Sequence, residues 1–256
     1  MQRNPPVQVN TVTAGPVRPS PTRAAGAITP RIRAAALIGI AGQVAMLLGS
    51  TIASWFQDDR YSIARHEMSD MAATGVSHAW FVQLYTGICG LSAIVFAWAA
   101  LRPTLAGIRG RTQAAVLLTI TFGAGFLSDA FFRIDCRTAD GCTAQQKVQT
   151  WHAVIHASSG VLLPVLLVTP FLVARCLRRS PRWARMARPS VWFGVALDLV
   201  ILAMLFVGDH WGTGYVQRLF LLLGAAWITL LAAWILRLGA AANGPGHDRA
   251  RDHARH

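Results

Sequence analysis

Apolar residues run almost unbroken along six stretches of the chain, at 34–56, 79–101, 114–132, 151–174, 191–207 and 216–236, each closed by charged residues, proline or glycine. About 20 apolar residues in a helix cross the hydrocarbon core of a bilayer, and a helix is one of the few shapes that satisfies its own backbone there. The pattern therefore predicts an all-α, polytopic membrane protein with six transmembrane helices within 34–238. The first stretch reads as an uncleaved anchor, because the polar segment before it is too long for a signal peptide. The flanks 1–33 and 239–256 read as disordered cytoplasmic tails; the first 30 residues hold six of the twelve prolines and no acid, and such composition buries too little surface to fold.

Composition supports a lipid solvent. The chain is 54% hydrophobic and 14% charged, against roughly 25% charged in a soluble domain. The net charge of +13 raises nucleic acid as a partner, but the placement of the basic residues argues otherwise. Eighteen of the 24 lie in the two tails and in the second and fourth loops, while Arg60, Arg65, Arg133, Arg137, Lys147 and Arg218 occupy the other side. Cytoplasmic loops carry the basic excess, so the expected topology is a multi-pass protein of the cell membrane with both termini cytoplasmic. Its expected partners are membrane lipids and not nucleic acid.

The acids and histidines are sorted the opposite way. Eight of eleven acids, with His66, His78, His152, His156 and His210, fall on or near the outer side. That points to an outer-facing polar site; the alternative is that short outer loops exclude arginine and fill with other polar residues. In the first outer loop Asp59 reads as an N-cap and Gly75 as a stop. The interfacial helix between them would place Ser62, His66 and Ser69 on one face; a solvated loop is the alternative. His152 and His156 open the fourth span four residues apart, a spacing open to metal ligation, a hydrogen-bonded structural pair or a proton relay. Asp129 lies a turn inside the third span, and Asp198 near the middle of the fifth is expected to pair across helices with Gln43. Cys136 and Cys142 are expected to form a disulfide on an oxidising face, since their spacing to the histidines does not fit a zinc finger. Cys89 and Cys176 read as packing residues. The last outer turn brings Asp209, His210 and Arg218 to the same mouth, with Arg218 expected to pair with Asp209 or Asp135.

Four segments together resemble a membrane family known as domain of unknown function 998: Tyr61-Ser-Ile-Ala-Arg-His-Glu-Met-Ser-Asp70, the loop with Phe132 and Asp135, the His152 that opens the fourth span, and Gln217-Arg218 opening the sixth. The resemblance covers about residues 34 to 238 and implies a six-helix bundle without a settled activity. Cys136 and Cys142 depart from it, standing where a proline-containing loop would be expected. More distantly, Ser62 with His66, Asp129, and His152 with His156 look like the zinc site of alkaline ceramidase and adiponectin-receptor hydrolases. Those proteins have seven spans and take the histidine pair from the last. That similarity implies zinc on His66, His152 and His156, with Asp129 as base and Ser62 aiding the oxyanion.

The preferred functional expectation is a metal-dependent hydrolase acting on a lipid or amide at the outer leaflet, with Ser62, Ser69, Asp129 and Asp135 as catalytic candidates. Its rivals are a transporter or proton relay through Asp198, His152 and His156, and a structural or lipid-binding membrane protein. No sequence signal addresses substrate or oligomeric state.

Overall fold

The computed structural model describes residues 27–207 and 212–242. Six helices are long and apolar enough to cross a membrane: α1 (Pro30–Trp55), α2 (Ala79–Thr104), α3 (Arg111–Phe131), α4 (Trp151–Leu177), α5 (Ala184–Val207) and α6 (Thr213–Ala242). No strand occurs among the described residues. The observed helices cover the six apolar stretches to within one residue and extend beyond several of them at the arginine-rich end. There α3 begins at Arg111 and α5 at Ala184, since arginine stems lie along an apolar helix while the guanidinium reaches water. Thr29 caps α1 by accepting the Ile32 N–H at 3.3 Å, with Pro30 in the first turn, where its missing donor costs nothing.

Each helix packs on its neighbours in the chain, and α6 closes the ring against α1. α1 and α2 approach closely: a Cβ on Gly42 would collide with the Ser92 side chain. Lipid tails are as apolar as leucine, so close contact of small residues is a main source of helix association in a bilayer.

The two ends of the bundle differ. One end carries Arg102, Arg109, Arg111 and the run from Arg175 to Arg188. Its interior is filled by Phe96, Leu101, Leu118, Leu177, Trp227 and their neighbours, all buried. The opposite end, with the disulfide, has a smaller cluster around Met46, Met71, Tyr85 and Cys89, and it is hollow. Two departures from regular α-helix face the hollow. α3 contains a π-helical segment at Thr119–Ala124. α4 is broken by a 3-10 stretch, Ser159–Leu162, before Pro164, a residue that cannot donate to the helical ladder.

The helix expected over 59–75 does not form. The segment is a loop with one short 3-10 helix, Met68–Ala72, and part of it is buried. Its internal backbone bonds make only isolated turns, and several of its other backbone groups bond to α6. The Ala64 carbonyl accepts the Gly214 N–H at 3.1 Å, the Ile63 and His66 carbonyls accept from Arg218, and the Met68 N–H donates to Gln217 Oε1 at 2.6 Å. Gly75 lies at φ +83°, a left-handed turn.

Candidate functional site

Two connecting segments, 56–78 and 132–150, interlock over the hollow end, and the start of α6 holds the first of them. Arg137, whose side chain is 7% exposed, donates to Asp140 through Nε and Nη2 at 2.7 Å and to Asp58 at 2.7 Å. Arg60 bridges the same two carboxylates at 3.0 Å. The Arg137 hydrogen bond holds the Asp58 carboxyl down at about 2 and lowers Asp140 as well, so both stay ionised through mild acid. Cys136 and Cys142 form the expected disulfide around this arginine, with Cα atoms 6.3 Å apart; closing so short a loop contributes roughly 2 kcal/mol in the chain-entropy account. Asp70 is 0% exposed. It accepts the Thr138 and Ala139 N–H groups at 3.2 and 3.3 Å and the Thr138 hydroxyl at 3.3 Å, which ties the two connecting segments together. The Lys147 ammonium stands 3.7 Å from both Asp70 and Glu67.

Several residues read as chemical from the sequence hold this mouth together. Asp135, a catalytic candidate, accepts the Gln149 and Thr150 N–H groups at 2.6 and 2.8 Å and the Thr150 hydroxyl at 2.6 Å. The hydroxyl bond is the main cause of its lowered pKa, and Asp135 thereby anchors the start of α4. Arg218 makes no ion pair with Asp135. Its Nη1 donates to the carbonyls of Ile63, His66 and Gly214 at 2.9, 3.3 and 3.0 Å, and its Nη2 to the Tyr61 hydroxyl at 2.6 Å. Asp209 and His210 lie outside the described residues. Ser62 uses its backbone N–H to donate to His66 Nδ1 at 2.8 Å, while Ser69 donates to Glu67 at 3.4 Å.

His66 therefore accepts through Nδ1, which requires that nitrogen unprotonated. Burial lowers its pKa below the ordinary 6.5. A folded value below the unfolded one means stabilisation fully present above 6.5 and lost as pH falls through the folded value. We expect ring-carbon NMR to show His66 titrating below 6.5; a midpoint above it would contradict this role.

Beneath the mouth lies an open cavity of about 540 Å³, bounded by all the spanning helices except α5. Its deep walls are apolar, from Met46, Val82, Phe126, Leu166, Phe220 and Leu221, and its polar end carries Glu67, Ser69, Asp129, Lys147, His156 and Gln217. Asp129 on α3 and His156 on α4 meet there: His156 Nδ1 lies 3.2 Å from Asp129 Oδ1 and 3.1 Å from the Phe132 carbonyl. His152, one turn before His156, is exposed and stacks on Trp151 with ring centroids 3.7 Å apart. The i, i+4 spacing thus sends one histidine to the cavity and the other to an aromatic surface. Asp198 and Gln43 do not pair. Asp198 Oδ1 and Gln43 Nε2 are buried without partners, Gln43 Oε1 faces the Cys89 thiol at 3.8 Å, and Asp198 does not line the cavity. The proposed relay from Asp198 to the mouth has no polar path through that space.

The residues that sequence reasoning passed over are Lys147 and Glu67. Lys147 is the only lysine beside 23 arginines, and that rarity was the available signal. Of the two buried anchors, Asp70 closes the segment that carries the family resemblance, whereas Arg137 had no signal of its own.

A family model described as "Protein of unknown function (DUF998)" matches residues 40–234. The chain belongs to the DUF998 family. The matched stretch contains the interlocked mouth and every residue lining the cavity, so both are features of the family domain as this chain builds it. No curated protein and no solved structure matches the chain. The zinc implied by the more distant similarity can be tested against the donor set. Among the described residues no three His, Cys, Asp or Glu side chains form a group able to hold a metal ion. His66 is turned to Ser62, His152 to Trp151 and His156 to Asp129. The three imidazoles do not converge, and no chemical step is derived through a metal.

Proposed function

We propose that this DUF998 protein binds a membrane amphiphile in the cavity between its helices. The observation that carries this reading is the cavity's own division, with apolar walls toward the bundle centre and ionisable groups at one end. A largely apolar pocket with a few convergent polar groups is the usual form of a small-molecule site. The disulfide end, in this reading, faces outward from the cell membrane and the arginine end lies at the cytoplasmic surface. The disulfide favours an oxidising side, and the basic excess favours the cytoplasmic one. The amphiphile then belongs to the outer leaflet, with its head at the mouth beneath the interlocked loops.

The Asp129–His156 contact favours a second reading, in which the bound amphiphile is also a substrate. Asp129 holds the imidazole through Nδ1, a geometry that leaves Nε2 as a general base toward water or a hydroxyl. Ester or amide turnover lost in His156→Ala, with binding kept, would single this reading out.

Binding itself is tested by thermal unfolding of the purified protein in nanodiscs. Saturation at about a hundredfold over the dissociation constant is worth about 2.7 kcal/mol, so a bound amphiphile should raise the midpoint by about 5 °C or more. An unchanged midpoint across neutral, cationic and anionic amphiphiles would remove the reading.

A further inference from the structure

Resting on the amphiphile-binding reading, we infer that the occupant is a single-tailed amphiphile with an uncharged or cationic head, admitted sideways from the bilayer through the seam between α3 and α4. Three observations carry this: the size of the cavity, the charge at its polar end, and the opening in its wall.

The volume is about 540 Å³. That is within the roughly 300–1,000 Å³ range of pockets that bury one small ligand, and a single acyl tail is an occupant of that class.

The charge comes from the groups at the polar end and those bonded to them. Lys147 is shared between Glu67 and Asp70 at 3.7 Å from each, and Asp129 faces His156. Of the groups that line the cavity, the carboxyls of Glu67 and Asp129 face one ammonium, Lys147, and one imidazole, His156, and the ammonium is shared with the buried Asp70 behind the wall. Arg218 and Arg137 do not line the cavity; their guanidinium groups are engaged by loop carbonyls and by Asp58 and Asp140. An anionic head would sit beside these carboxylates, whereas a hydroxyl or ammonium head would donate to them.

The opening lies where both helices depart from regular geometry. Gly125 follows the π-helical segment of α3, and Gly160 lies in the 3-10 break of α4. Both line the cavity, and a Cβ added to either would meet nothing within 4 Å. Next to Gly160, Val161 is 76% exposed and does not line the cavity, so the wall at this point is one residue thick. Gly160 is nine residues into α4, roughly 13 Å below its start at 1.5 Å per residue, which places the gap at the depth of acyl chains. Toward the arginine end the same seam is shut by Ala115 and Leu118 with Val173 and Leu177, all fully buried or nearly so.

The test uses full-length protein in dioleoylphosphatidylcholine nanodiscs, so that two-tailed lipid is always in excess, with radiolabelled monooleoylglycerol and oleate as probes. Monooleoylglycerol should bind, and oleate should bind about tenfold or more weakly, as charge repulsion at this range requires. Gly160→Trp, at the seam, should slow monooleoylglycerol association about tenfold or more, while Gln145→Trp, beside the mouth and outside the cavity lining, should leave it within about twofold. Oleate binding as tightly as monooleoylglycerol would overturn the head assignment. Slowing by Gln145→Trp and not by Gly160→Trp would overturn the lateral route, with amphiphile binding still standing. Binding of neither probe to the wild-type protein, in contrast, would sink the binding reading itself.

Discussion

Gly125→Leu is expected to reduce amphiphile binding by at least about tenfold, with the ligand-free protein no less stable than wild type. Most glycine replacements in a packed bundle do the opposite. At Gly90, for example, an added Cβ would meet the Gly123 carbonyl at 2.8 Å and part α2 from α3. Gly125 differs because an added Cβ would meet nothing within 4 Å and the residue lines the cavity. A leucine side chain added at this lining position would compete with a tail for the space beside α3. Leucine in place of glycine also favours the helix by up to about 1 kcal/mol, which offsets small repacking costs. Equilibrium binding and the ligand-free unfolding midpoint, measured together, check the prediction. A lower midpoint, or unchanged affinity, would show that the space beside Gly125 is not the binding space.

Arg218→Ala is expected to cost about 3 kcal/mol and to release the 56–78 segment from α6. The estimate follows from the four hydrogen bonds the guanidinium donates. Bonds to a charged group are worth about 1.5 to 3 kcal/mol each, but they are not additive and Arg218 is only half-buried, so the lower range applies. The loss reaches beyond the arginine. Tyr61 is held where burial raises its pKa, and Gly214 is pressed against the Ile63 and His66 carbonyls. Without Arg218 those oxygens have no charged donor. Trypsin should then cut the 56–78 segment at Arg60 or Arg65 well before any spanning helix, and Arg218→Lys should restore part of the protection. Equal resistance of wild type and Arg218→Ala would show that the clamp carries little.

The same contrast explains what could be read from the chain. The six spans were legible because a bilayer imposes a length and a polarity that a one-dimensional pattern records directly. The disulfide was legible because Cys136 and Cys142 are near neighbours on the side poor in arginine. The mouth was not, because its geometry depends on partners far apart in sequence. Met68 bonds to Gln217, Asp70 to Thr138, and Arg137 to Asp58. His66 and Asp135 drew attention as residues of catalytic type, and both are engaged by nearby backbone N–H groups instead. Asp129 and His156 could each be placed near the outer boundary of adjacent spans, but only the fold brings their side chains together. The cavity itself had no sequence signature. It is lined by residues of the π and 3-10 departures in α3 and α4, and neither Thr119–Ala124 nor Ser159–Leu162 breaks the apolar pattern that marks a span.

The most direct test of the central claim is native mass spectrometry of the wild-type protein and of Gly125→Leu, each released from nanodiscs after incubation with monooleoylglycerol. The cavity account predicts one retained amphiphile on each wild-type chain and none on Gly125→Leu. No retained amphiphile on the wild type, or equal occupancy of the two proteins, would contradict it.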